Sequence, residues 1–316
     1  MGKSTVNSQK SIVNKMGANL KEVRERIKSV KSTQQITRAM KMVSAAKLRR
    51  AQMAITDLRP YANRLNSMLV NILSNIEGGG SNVFGTERIV KKAMVVVVTS
   101  NRGLCGAFNS NIIKSAVATI EGRYADLKDN GNLTILTIGK KGNDYFKKRY
   151  MNCNKITEHA ELFSDLSFDN VATVSQMIMD EFVEGNYDSV HVSYGRFKNA
   201  GMQFAETERF LPVRTLDPAT TEDNSTSKSR ADYIFEPDEK TLLDQLVPSI
   251  LKTTFQKFLL DTNASEHGAR MTAMEKATEN AEDMLKDLKI TYNKARQESI
   301  TKELSEIVGG AAALEG

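Results

Sequence analysis

The residues best placed to do chemistry lie in one loop. Thr99-Ser-Asn-Arg-Gly-Leu-Cys-Gly-Ala-Phe-Asn109 sits where a β-branched run gives way to a helix-like stretch. Nucleotide-binding folds hold phosphate on free backbone N–H groups at that position. The loop has neither G-x-G-x-x-G nor G-x-x-x-x-G-K-[ST], and no acid at its edge to take magnesium or a ribose hydroxyl. It reads as a tight structural turn. Cys105 has the chemistry of a nucleophile, but His159, His191 and His267 have no spacing that ties them to it, so no triad can be assembled. No set of His, Cys, Asp and Glu has metal-ligand spacing either. No catalytic residue, metal or cofactor is expected.

The composition bounds what else the chain does. Its 316 residues are 40% hydrophobic and 6% aromatic, with no Trp. That allows one or two domains and leans toward long helices. Cys105 and Cys153 lie far apart and outside any C-x-x-C, which fits a reducing compartment. The formal charge of +6 and pI near 9.1 admit a nucleic acid, an anionic membrane surface or an acidic protein as partner. No run of apolar residues is long enough to cross a bilayer, so any membrane association must go through another protein. Residues 1–16 carry Lys3, Lys10 and Lys15 without an acid or an apolar core and read as a disordered leader.

The elements that must position these residues follow from periodicity. From Leu20 to Leu73 the only breaker is Pro60, and Leu20, Val23, Ile27 and Val30 recur at three- and four-residue steps. The pattern predicts one long helix over residues 17–77, with a kink or short break near Arg59. Gly78-Gly-Gly-Ser-Asn82 opens a linker, residues 78–87. Ala93–Thr99, Leu133–Ile138 and Ser189–Tyr194 read as buried strands, with helices near Phe108–Leu127 and Val171–Glu184 between them. That alternation predicts a small doubly wound, mostly parallel sheet over 88–214. The polar tract 215–237 reads as an insertion loop. A second long helix is expected over 238–316, its seam built from Met274, Ala277, Ala281, Met284, Leu288, Thr291 and Ala295.

Both long helices join the same central domain, so they must pair antiparallel. The fold class is therefore α/β plus a long antiparallel coiled coil. Setting Leu73 opposite Lys240 places Met40 near Ala273 and Gly17 near Arg296, and leaves everything beyond Arg296 without a partner helix. A helix of this length reaches roughly 100 Å.

Two features of the first helix point to a partner. Between Ile36 and Leu48 the apolar residues cover nearly the whole circumference, more than a two-helix seam needs. Between Lys21 and Arg50 ten basic residues face two acids, whereas Glu266 to Glu306 holds nine acids and seven bases. Positive charge is left over. Three function classes stay open on this reading: a shaft gripped by proteins, a basic coiled coil that binds nucleic acid, and a nucleotide-binding enzyme on the central domain.

From Gly17 to its end the chain resembles the gamma subunits of F-type ATP synthases. Three segments carry the resemblance: RIKSVKSTQQITRAMKMVSAAKLRRAQ, TSNRGLCGAFN, and the uninterrupted C-terminal stretch from Ala264 to Ala313. Asn101 stands where the family commonly has Asp, the 217–232 tract looks like a lineage-specific insertion, and the paired-cysteine insertion of chloroplast members is missing. The resemblance implies a non-catalytic central-stalk rotor, held in the ring of three alpha and three beta subunits. It further implies contacts with the epsilon subunit and the membrane c-ring, no nucleic acid, and a peripheral position on the cytoplasmic face of the bacterial inner membrane. It also implies coupling contacts with the beta subunits at Met40, Arg270 and Gln297. Lys41, Arg49 and Arg50 would face acidic beta-subunit loops, and Ile300, Thr301, Glu303 and Leu304 would form the tip held in the bearing.

Overall fold

In the computed structural model the described residues are 20–75, 84–85, 87–213 and 239–315. The leader, most of the linker and the 215–237 tract lie outside them. The first element, α1 (Leu20–Asn75), is continuous through Pro60, so of the kink or short break expected near Arg59 the break does not occur. Then come β1 (Ala93–Val98), α2 (Phe108–Arg123), the short α3 (Ala125–Asp129) and β2 (Leu133–Ile138). They are followed by α4 (Lys140–Arg149), β3 (Asn154–Ile156), a 3-10 segment (Glu158–Ser164) and α5 (Phe168–Val183). β4 (Ser189–Asn199), β5 (Met202–Leu211) and α6 (Glu239–Glu315) complete the chain.

The described chain divides into two units, residues up to 42 with those from 274 onward, and residues 43–273. The larger unit is built on a five-stranded sheet of order β3-β2-β1-β4-β5. β1, β2, β3 and β4 are parallel, and β5 pairs antiparallel at the edge. β1 and β2 are buried along their whole length, which is why their sequences are continuous apolar runs rather than alternating ones. One face of the sheet packs Met94, Val96, Val98 and Val192 against α5 and the Val247–Leu259 stretch of α6. The other packs Val95, Val97 and Ile135 against Ile112 and Ile120 of α2 and Phe146 of α4. Helices on both faces make this the doubly wound architecture expected from the sequence. β3, β5 and α4 are additions to that expectation, and β4 is longer than expected.

A single contact fixes the sheet's carboxyl edge. Gly139, just after β2, has φ +96, and a Cβ there would stand 2.0 Å from the carbonyl oxygen of Thr99. Only glycine lets the ends of β1 and β2 approach so closely.

Candidate partner-contact surface

In the smaller unit α1 and α6 run antiparallel, with Arg24 donating to the Tyr292 hydroxyl, the Thr37 and Thr278 hydroxyls 2.8 Å apart and Lys41 ion-paired to Glu275. Val23, Ile27, Val30, Gln34, Thr37 and Lys41 form the covered stripe of α1. Met274, Thr278, Ala281, Leu285, Leu288, Tyr292, Ala295 and Ser299 form that of α6. Both stripes alternate steps of four and three residues, the heptad of a coiled coil.

Two expectations need correction. The register lies two to three residues further along α6 than the sequence count gave, because Thr37 meets Thr278 and Lys41 meets Glu275. Met40 therefore faces the neighbourhood of Lys276 rather than Ala273. Met284 is 53% exposed, and Leu285 takes its place, since the seam steps by four from Ala281 rather than by three.

Outside the seam the unit presents apolar side chains to solvent. Ile36 is 57% exposed and Met42 63%, while Met40 is half-buried on the flank. From Ile300 to Ala311 every residue is exposed. Ile300, Leu304, Ile307 and Val308 stand at i, i+4, i+7 and i+8, which places them on one helical face. Gln297, Thr301 and Glu303 are exposed beside that stripe, and the Thr301 hydroxyl bonds back to the Gln297 carbonyl. At Gly309 and Gly310 an added Cβ would meet nothing within 4 Å, so nothing among the described residues requires glycine there. Lys28, Lys31 and Arg38 form no ion pair among the described residues, whereas Arg26 pairs with Glu22 on its own helix.

In the larger unit Leu48, Ala51 and Ile55 of α1 pack on Leu260 and Ala264 of α6. Arg49 and Arg50 project outward without an ion pair among the described residues, and Val43 is 57% exposed. Arg270 behaves differently. It is 8% exposed, its guanidinium is ion-paired to buried Glu266, and it donates to the carbonyl oxygens of Arg102 and Gly103 at 3.2–3.4 Å. In this structure it braces the 99–109 loop against α6.

That brace sits at the sheet's topological switch point, the crevice beside β1 and β4 where open α/β sheets place ligands. Here the chain's own α6 occupies it. The Gly195 amide donates to the Thr262 hydroxyl and the Ser265 hydroxyl donates to the Gly195 carbonyl. A Cβ at Gly195 would come within 2.8 Å of the Phe108 ring and 3.3 Å of Ser265. Leu104, at the loop's outer end, has φ 63 and is exposed, a backbone conformation disfavoured for a leucine. Burial dominates the electrostatics beneath. His267 is pushed down to about 4 by desolvation, with help from Arg270 and Lys47. Desolvation raises the Glu266 carboxyl against the pull of the same two cations. The sequence reading missed Glu266, Thr262 and Ser265. Glu266 had one signal, its spacing of four from Arg270, an ion-pair step on one helical face, whereas Thr262 and Ser265 had none.

A doubly wound sheet whose switch point is closed by its own C-terminal helix, with antiparallel terminal helices that expose apolar and basic side chains, defines a scaffold for protein contacts. A family model described as ATP synthase matches residues 19–314. The ATP synthase gamma chain of Cytophaga hutchinsonii is 52% identical over 93% of this chain and 98% of its own length. That of Flavobacterium psychrophilum is 50% identical over 95% and 100%. Among solved structures, a chain from the Euglena gracilis mitochondrial ATP synthase OSCP/F1/c-ring assembly aligns with TM-score 0.61 and 21% identity over 95% of both chains. One from the Tetrahymena thermophila central stalk and c-ring aligns with TM-score 0.52 and 20% identity, covering 77% of this chain and 99% of the other. The chain belongs to the ATP synthase gamma-chain family.

Proposed function

We propose that this chain is the non-catalytic rotor shaft of an F-type ATP synthase, turned by the membrane c-ring and gripped by three alpha and three beta subunits. The observation that carries the reading is the apolar surface that the paired helices leave exposed outside their seam. Ile36, Met42, Ile300, Leu304, Ile307 and Val308 are exposed while Thr37 and Thr278 lie in the seam. Apolar surface left in water this way marks a surface that a partner covers. Met40, Lys41 and Gln297 of the smaller unit contact loops of the beta subunits, Arg49 and Arg50 of the larger unit meet acidic beta-subunit loops, and Ile300, Thr301, Glu303 and Leu304 form the bearing. Arg270 acts through the loop that it braces rather than by direct contact. The crevice filled by α6 supports a role without catalysis. No described helix is long and apolar enough to cross a membrane, so attachment to the cytoplasmic face of the inner membrane goes through the c-ring, with the epsilon subunit against the foot.

Co-expression with alpha and beta subunits tests this. The expected product is a salt-stable complex with one copy of the chain per three of each, in which Met40→Glu or Ala46→Glu lowers coupled ATP hydrolysis without loss of helicity in the free chain. Failure to form a stoichiometric complex, or salt-sensitive binding to DNA instead, would overturn the proposal.

A further inference from the structure

In the larger unit, α1, α6 and β5 enclose a groove of about 380 Å³, roughly the room of a dozen water molecules and so of a medium-length alkyl chain. Its walls are Ile55, Leu58, Ala62 and Leu65 of α1 with Ile250 and Leu260 of α6. Two cations, Arg59 and Lys257, stand at its polar side. Neither has a carboxylate within ion-pair distance among the described residues, although eleven other pairs are made among those residues.

The two acids nearby do not pair with them directly. Glu208 at the groove wall accepts the Tyr194 hydroxyl. Asp261, buried beneath, feels Lys257 and Arg59, yet desolvation still lifts its carboxyl to about 6. Arg196, the remaining cation facing Asp261, is already paired to Glu206. An apolar slot with two uncommitted cations at one side is complementary to an anion that carries an alkyl tail. A divalent cation would be repelled, and a bare phosphate would leave the apolar wall unfilled.

We propose that this groove binds a small anionic amphiphile, a carboxylate or phosphate head seated between Arg59 and Lys257 with its alkyl chain along Leu58, Leu65 and Ile250. The site is independent of the rotor reading, and the same variants are scored for complex assembly, so one can fail while the other stands.

The test is calorimetric titration of the full chain with decanoate, 1-decanol and inorganic phosphate, plus flotation with phosphatidylglycerol vesicles. The expected result is saturable decanoate binding at one per chain, with decanol at least tenfold weaker and no binding of phosphate. The Arg59→Gln/Lys257→Gln double variant should weaken decanoate at least tenfold, and Ala62→Leu, which fills the slot, should abolish binding with the fold retained by circular dichroism. Absence of saturable binding overturns the proposal. So does equal affinity for decanol, binding of phosphate alone, or indifference to both variants. Flotation without binding of monomeric decanoate shows surface adhesion only, and also overturns it. If decanoate binds the free chain but not the assembled complex, a protein subunit occupies the groove and the small-ligand reading fails.

Discussion

Replacing Arg270 by alanine should unlock the 99–109 loop from α6. The Glu266 side chain is 7% exposed and loses its one ion-pair partner among the described residues, and the carbonyls of Arg102 and Gly103 lose their Arg270 donors. Removing one member of a buried pair costs about 3–5 kcal/mol, because the remaining charge stays desolvated. Each 1.4 kcal/mol is a factor of ten, so opening of the region should rise on the order of a hundredfold to a thousandfold. Hydrogen exchange reads this at the Ser100 amide, bonded to Asn109 Oδ1, and at the Phe108 amide, bonded to the Cys105 carbonyl. Glu266→Gln combined with Arg270→Ala should recover part of the loss, because no buried charge is then orphaned. Arg270→Lys should fall between, since it keeps the charge but not the fork that reaches two carbonyls. If Arg270→Ala costs less than about 1 kcal/mol, or loosens α6 while the two loop amides stay protected, the brace has been misread.

Three further outcomes follow from the same geometry. Asp261, raised to about 6 by burial, favours folding at low pH and loses that contribution as pH rises from about 4 to 6. His267, lowered to about 4, keeps its contribution above pH 6.5 and loses it as pH falls toward 4. The two slopes oppose each other and are each worth about 3 kcal/mol. Urea unfolding between pH 4.5 and 7 should therefore show Asp261→Asn more acid-sensitive than wild type and His267→Gln less so; parallel profiles would refute both. Gly139→Ala, which drives a Cβ into the Thr99 carbonyl, should destabilise the larger unit by more than about 3 kcal/mol in urea melts. Gly309→Ala and Gly310→Ala, which meet open space, should each stabilise the end of α6 by about 1 kcal/mol, seen as slower exchange at 305–311.

The helices and the central strands were legible because each obeys a local rule. β1 is six apolar residues in a row, and α1 repeats its heptad from Val23 onward. β5 was not legible, because Met202–Leu211 carries Glu206, Glu208 and Arg209 in an edge strand with only its last residues buried. Its place is set by pairing with β4, which no local pattern announces. α4, with five basic residues among ten, offers only Tyr145 and Phe146 as large apolar side chains, and it is Phe146 that anchors it against the sheet. Met40 and Gln297 were named through the family resemblance of their segments and not from helical phase, since the register counted from sequence was two to three residues off. Arg270 was expected at a partner contact through the resemblance; its sequence neighbourhood did not announce the buried acid and the two loop carbonyls that hold its guanidinium inside.

The polar layer in the seam of the terminal helices bears on stability as much as on partners. Two helices that pair only with each other gain most when the seam is apolar and the outside polar. Here the seam holds the Thr37–Thr278 pair, and the Lys41–Glu275 bridge flanks it, while Ile36 and Met42 stay outside. Full burial of such a side chain is worth about 1.5–3 kcal/mol, so more than half of that is forgone at each. A polar layer in the seam gives up stability but fixes register, and register decides which of the outer residues stand side by side. The polar layer therefore adds more to the specification of the smaller unit than to its stability.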